Sequence, residues 1–202
     1  MATANKQRGN SEKRRRILEG ALRAFAKKGF YNTKVSEIAS EAGVADGTIY
    51  LYFKNKDDLL ISLFEDRMEW IIERLKGELD RIEGDAAARL RAFIQLHFLL
   101  VVENRDLAEF VTVELRQSAK FVKEYDNPKF SDYLRILHQL IKDGQQEGLL
   151  RAELDSRLAA RAIFGALDEV LLQLTLSKAG PEDVEEKAAL VSDMLLRGLA
   201  SD

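Results

Sequence analysis

No cysteine occurs among the 202 residues. Disulfide frameworks, thiolate zinc sites and cysteine nucleophiles are therefore excluded. Proline is almost absent, only Pro128 and Pro181, and strand-like alternation is scarce, so helix is expected throughout. No run approaches the ~18 uninterrupted apolar residues that a membrane span needs. Residues 1–9 are polar with no apolar signal core behind them, and the expectation is a cytoplasmic protein. A nucleophile–base motif and a glycine-rich phosphate loop are also missing. With only His97 and His138, and no carboxylate at ligand spacing beside both, neither a metal, a cofactor nor catalysis is expected.

What is present is a 46% hydrophobic chain, enough to fill a core, with its charge unevenly placed. Residues 1–56 hold twelve Lys and Arg against five Asp and Glu, a net of +7, while the rest carries −10 within the chain's −3. A basic head on an acidic body is the asymmetry of a molecule whose one end meets phosphate. A solvated basic tail ahead of an ordinary acidic domain gives the same signature, so charge alone does not choose.

Apolar periodicity predicts helices over about 11–28, 35–42, 45–52, 55–82, 86–101, 107–117, 130–146, 156–178 and 182–199. Gly29, Gly43, Gly84 and Gly148 stand where helices stop, and Asn55, Asp85 and Asp155 where helices start. Asn55 with Asp58 three residues on reads as a capping box. The second and third helices, short and split by a Gly-containing turn, make a helix-turn-helix. A fourth helix of some 25 residues would extend ~40 Å, long enough to join two domains. The expected fold is all-α, about nine helices: an N-terminal three-helix DNA-binding domain, 1–56, joined by the long helix to a helical ligand-binding and dimerisation domain, 57–202.

Residues 35–56 read VSEIASEAGVADGTIYLYFKNK. Gly43 supplies the freedom of the turn, and Ala39, Val44, Ile49 and Phe53 are apolar where the two short helices would lock onto the first. Gly47, Thr48, Tyr50, Leu51 and Tyr52 are left for the other face. Hydroxyls of Ser36, Thr48 or Tyr50 can donate to phosphate, and Leu51 or Tyr52 can touch base edges or a thymine methyl. Lys56, at the first turn of the fourth helix, is placed for a phosphate oxygen. Tyr50 and Tyr52 as plain core aromatics are the blander reading; Phe53 is assigned to the core. Ala45 is a poor cap, so Asp46 either caps in its place or faces the groove to accept from cytosine N4.

Ile38-Ala39, Ala42-Gly43-Val44, Gly47-Thr48-Ile49-Tyr50, Tyr52-Phe53 and Asn55-Lys56 match the helix-turn-helix pattern of the TetR family in order and spacing, and the chain resembles that family. The resemblance implies a homodimeric repressor that reads a palindromic operator. Three further stretches, 42–64 (AGVADGTIYLYFKNKDDLLISLF), 113–118 (VELRQS) and 163–169 (IFGALDE), are similar to the TetR-type regulators of fatty-acid degradation, the FadR proteins. That narrower resemblance implies release from DNA by a long-chain fatty acyl-CoA. A repressor answering another small hydrophobic molecule, of the multidrug type, is the alternative.

The residues themselves permit an acyl ligand without requiring it. Phe93, Leu100, Phe110, Leu137, Phe164, Leu167 and Leu171 are candidates for an apolar tunnel, though ordinary core accounts for most such side chains. Arg116, Gln117 and Lys120 follow an apolar run and can hold the CoA end, while Glu114 and Asp168 offer Arg116 an ion pair instead. His97 lies on an apolar face as a hydrogen-bonded core histidine or a ligand contact. The last two helices are apolar over wide arcs, as a dimer interface requires.

Overall fold

The structure, a computed structural model, describes residues 2–118, 120–121 and 124–201, with side chains for all of these except 2–8, 100–102 and 117. Among the described residues there are nine α-helices: α1 Ala2–Lys28, α2 Val35–Ala42, α3 Asp46–Ile49, α4 Lys56–Leu79, α5 Ala86–Val102, α6 Arg105–Thr112, α7 Pro128–Gln146, α8 Ser156–Leu176 and α9 Pro181–Leu199. A 3-10 turn, Glu114–Gln117, follows α6. The all-α expectation holds, with one isolated antiparallel bridge between Leu150 and Ala200.

Helix boundaries follow local chemistry. The Asn55 side chain accepts from Asp58 N–H (2.9 Å), and Asp58 in turn accepts from Lys54 N–H (2.8 Å), one residue earlier than a standard capping box returns. Asp85 accepts from Ala88 N–H, Asn127 from Phe130 N–H ahead of Pro128, and Asp155 from both Arg157 and Leu158 N–H. The long helix stops at Leu79, three residues short of the expected end, and residues 80–82 continue as turns whose N–H groups reach back three or four residues. The expected helix 107–117 splits into α6 and the 3-10 turn, with Val113 between them in a distorted right-handed helical conformation (φ −114°, ψ −59°).

The chain forms two compact units, Met1–Arg67 with Glu109–Tyr125, and Met68–Ala108 with Asp126–Asp202. In the first, α1, with Ile17, Leu18, Ala21, Leu22 and Phe25 buried, packs on α2, with Ile38 and Ala39 buried, and α2 packs on α3, where Ile49 and the following Phe53 are buried. Gly20 is required here: a Cβ would stand 2.8 Å from the backbone nitrogen of Ala42. In the second, α5 packs on α7, α8 and α9 through Leu90, Phe93, Ile94 and Phe98, all fully buried. Burial of such side chains contributes roughly 1.5–3 kcal/mol each before entropy is set against it.

Candidate functional site

The helix-turn-helix of the first unit is fastened by long side chains. Gly43 takes the left-handed conformation (φ +63°) that ends α2, and Arg16 donates through Nη2 to the carbonyls of Ala42 (2.7 Å) and Gly43 (2.8 Å). Those carbonyls are the unsatisfied acceptors that every helix C-terminus leaves. Arg23 likewise donates to the Glu41 carbonyl (2.8 Å), and Arg14 lies 5.6 Å over the Phe53 ring. Arg15 pairs with Glu12 and Glu19 on its own helix. The Arg14–Arg15–Arg16 run is therefore engaged within the unit.

Four residues, Asp46–Ile49, have full helical bonding in α3, fewer than the eight expected. Its N-cap Ala45 has no side-chain hydrogen bond, and Asp46 does not replace it: the carboxylate is exposed and makes none to described residues. Thr48, Leu51 and Tyr52 N–H each reach a carbonyl three residues back, the tighter 3-10 pattern that carries the chain to Phe53. Only Ile49 and Phe53 turn inward. Ser36, Ala45, Asp46, Gly47, Tyr50 and Leu51 are exposed, Leu51 at 81% and Tyr50 at 58%, while Thr48 and Tyr52 are half-buried. A leucine so exposed on an otherwise tightly bonded motif is a surface available to base edges.

Lys56 departs from the expectation that it would meet a phosphate. Its Nζ donates to the carbonyls of Phe30 (2.7 Å), Thr33 (3.1 Å) and Tyr31 (3.2 Å) and sits 4.6 Å over the Phe30 ring. An ammonium has three protons, and all three are occupied, so Lys56 closes the loop after α1. Beside it, the buried Glu114 carboxylate accepts from Phe30 N–H, Ser118 Oγ donates to Asp57 (3.2 Å), and Tyr125 Oη donates to Glu65 (2.6 Å). Burial and the Glu65 carboxylate push the Tyr125 phenol well above its ordinary value. Segment 109–125 is thus part of the first unit, a membership not legible in the sequence because Glu114 and Phe30 lie 84 positions apart.

The expected effector residues divide between the units. Phe110 is fully buried and stacks on Phe25 (6.5 Å between centroids, 11° between planes), in the core of the first unit and apart from the candidates of the second. Arg116 and Lys120 also belong to the first unit and are exposed. The side chains of Leu100 and Gln117 lie outside the described ones. The second unit brings together Phe93, His97 and Phe164 around a residue not foreseen, Tyr133, with Leu137, Leu167 and Leu171 buried on the neighbouring helix turns. His97 Nδ1 and Tyr133 Oη are 2.6 Å apart, and His97 Nε2 is buried with no hydrogen-bond partner among the described residues. Burial holds the imidazole down at about 4 and keeps it neutral, and burial together with the Asp168 charge raises the Tyr133 phenol. A neutral dyad with one open nitrogen among aromatic rings can orient a polar group on an otherwise apolar ligand.

Comparison with known proteins then decides the lineage. Residues 17–63 match the family described as bacterial regulatory proteins, tetR family, and residues 64–198 match the YsiA-like protein C-terminal region. The chain belongs to the TetR family. As a TetR-family member it is 41% identical over 155 residues to the fatty acid metabolism regulator protein of Bacillus subtilis, covering 77% of this chain and 79% of that one. The crystal structure of FadR from Bacillus subtilis in complex with stearoyl-CoA superposes with a TM-score of 0.84 at 37% identity, covering 91% of this chain and 98% of that one. The fatty acid degradation regulator FadR from Bacillus halodurans gives 0.86 at 36% identity, covering 93% and 96%. No group of three or more His, Asp or Glu able to hold a metal occurs among the described residues, and no helix there is long and apolar enough to cross a membrane.

Proposed function

We propose that this TetR-family regulator represses fatty-acid degradation genes in the cytoplasm and leaves its operator when a long-chain fatty acyl-CoA binds. The observation that carries this reading is the match, over nearly the whole chain, to a FadR holding stearoyl-CoA. The buried His97–Tyr133 pair, set among Phe93, Phe164 and the leucines of α7 and α8, suits an apolar chain that bears a carbonyl. On the DNA side, Ser36, Thr48, Tyr50, Leu51 and Tyr52 read or contact the duplex, while Lys56 holds the head together. Residues 1–56 carry the DNA-contacting elements, braced by segment 109–125 of the same unit, and the rest of 57–202 senses and dimerises.

Dimerisation runs through α8 and α9, where Leu158 and Leu176, and Leu190 and Met194, stay exposed. Two heads reading a palindrome multiply a specificity that one helix-turn-helix lacks. Release requires the ligand to bind the DNA-incompetent arrangement more tightly than the competent one, since equal affinity shifts nothing. The covalent chain crosses between the two units at 67/68, 108/109 and 125/126, so α4 and the ends of segment 109–125 are the paths along which ligand binding reaches the head.

The test is titration of the protein–operator complex with acyl-CoAs of graded length. Each added methylene buried contributes about 0.8 kcal/mol, so release should tighten steeply with chain length, and free CoA should act weakly. Release by an unrelated hydrophobic drug and by no acyl-CoA would replace this reading with the multidrug-type one.

A further inference from the structure

On the α7–α8 side of the second unit lies an open cavity of about 480 Å³, lined by Ser131, Leu134, Arg135, His138, Gln139, Arg157, Ala160 and Arg161. Three guanidiniums and an imidazole face it, and no carboxylate is among the lining residues. Arg157 and Arg161 stand four apart on α8, where like charges repel. Neither guanidinium forms an ion pair or hydrogen bond with a described residue. Elsewhere in the same unit Arg74, Arg81, Arg89 and Arg197 each reach a carboxylate. The nearby acids are partly in use: Asp132 pairs with Arg135 (2.9 Å), and Asp155 accepts from Arg157 and Leu158 N–H while lying within electrostatic reach of the Arg157 guanidinium and of His138, without a direct ion pair to either.

The floor is different in kind. Leu134 and Ala160 are buried, and one turn further along the same helix faces stand Leu137 and Ile163, also buried. A cationic mouth over an apolar floor selects a ligand that carries phosphate at one end and hydrocarbon at the other.

We infer that Arg157 and Arg161, with Arg135 and His138 beside them, form an anion subsite for phosphate groups. Two planar forks a helical turn apart can each take two oxygens of a phosphate or pyrophosphate. The inference rests on the proposed function for its preferred source, the phosphate-bearing end of an acyl-CoA. A free phosphate compound would satisfy the same chemistry.

The experiment uses the full-length protein and the double variant R157Q/R161Q, with R157K/R161K to retain charge. Stearoyl-CoA, free CoA, stearate and tripolyphosphate are titrated by calorimetry and, in parallel, against the protein–operator complex. Both substituted residues are exposed, so the fold should be preserved; because they stand beside Leu158 of the proposed dimer face, circular dichroism, sedimentation and operator affinity are compared for all three proteins, and ligand binding is read at matched dimer content. We expect the Gln pair to weaken stearoyl-CoA binding roughly tenfold to a hundredfold, to leave stearate unaffected, and to be partly rescued by the Lys pair. Equal stearoyl-CoA affinity in wild type and R157Q/R161Q overturns the subsite while leaving acyl-CoA control intact. Tripolyphosphate binding that matches free CoA and is lost in the Gln pair supports the subsite and names free phosphate as its source. If stearoyl-CoA does not act on the wild type, the proposed function fails separately, and absent tripolyphosphate binding then overturns the subsite as well.

Discussion

Arg16, Arg23, Lys56 and Glu114 of the first unit each cross a long stretch of sequence to fasten a backbone group, whereas the second unit buries His97 against Tyr133 and leaves one nitrogen open. The large exposed apolar side chains of the first unit are Tyr31 in the loop after α1 and Tyr50 and Leu51 beside α3; those of the second lie mostly along α8 and α9. A reader of DNA must present side chains within tight tolerances, so its polar groups are spent on rigidity. A sensor must retain a polar atom that only a ligand can satisfy, at a cost in stability that the remaining core offsets. The same kinds of residue therefore do different things in the two units: a charged side chain on the head is a strut, and the buried neutral pair in the body keeps a nitrogen unsatisfied, which is why we propose it for the effector.

The largest expected effect tests the apolar face of α8 and α9. Leu190→Glu with Met194→Glu alters two side chains that are 56% and 61% exposed in one chain, so the monomer should fold while sedimentation shows dimer loss and operator affinity falls by orders of magnitude. Leu171→Glu, at a position only 2% exposed, should instead unfold the protein, because it buries an unpaired carboxylate. An intact dimer in the α9 double variant would move the interface.

Next in size is Lys56→Met. Losing three carbonyl contacts and the contact with the Phe30 ring should lower stability by about 2–3 kcal/mol, measured by urea denaturation. The salt dependence of operator binding should keep its slope; a slope reduced by about one would show that Lys56 meets a phosphate after all.

The buried imidazole gives a third, pH-dependent contrast. His97 stays neutral in the folded protein down to about 4, against an ordinary value of 6.5, so below 6.5 the unfolded chain binds the extra proton. Stability present above pH 6.5 is therefore lost as pH falls, about 2 kcal/mol between pH 6.5 and 5. His97→Gln should flatten that part of the denaturation-against-pH curve, and an unchanged slope would show that another group titrates there. The smallest effect belongs to Leu51→Ala: stability within about 0.5 kcal/mol of the parent, but about 1 kcal/mol less discrimination between operator and a one-base variant, read by competition binding.

Much of this was legible in the residues. The caps at Asn55, Asp85 and Asp155, the glycine at 43 and the inward Ile49 and Phe53 were readable because they act within one turn of helix, where sequence spacing is spatial spacing. The carbonyl contacts of Lys56 are not legible for the complementary reason: its partners at 30, 31 and 33 belong to a loop whose return to α4 no periodicity encodes. Phe110 looked like any other apolar residue of the body, and only its stacking on Phe25 shows that it belongs with α1. The His97–Tyr133 pair was half visible, since a histidine on an apolar face demands a partner but does not name one 36 residues away.

The bridge between Leu150 and Ala200 bears on how the molecule breathes. Arg151 N–H donates to the Leu199 carbonyl and Ser201 N–H to that of Leu149, while the Arg151 guanidinium holds the Gly198 carbonyl and Ser201 Oγ that of Gly148. The last turn of a helix ordinarily frays within microseconds and exchanges its amide protons almost as fast as an unfolded peptide. Here the end of α9 is stitched to the α7–α8 loop from both backbone and side chain, so it opens only when that loop does. In deuterium exchange the amides of Ser201 and Arg151 should go out together and late, a single clock shared by two places half a hundred residues apart.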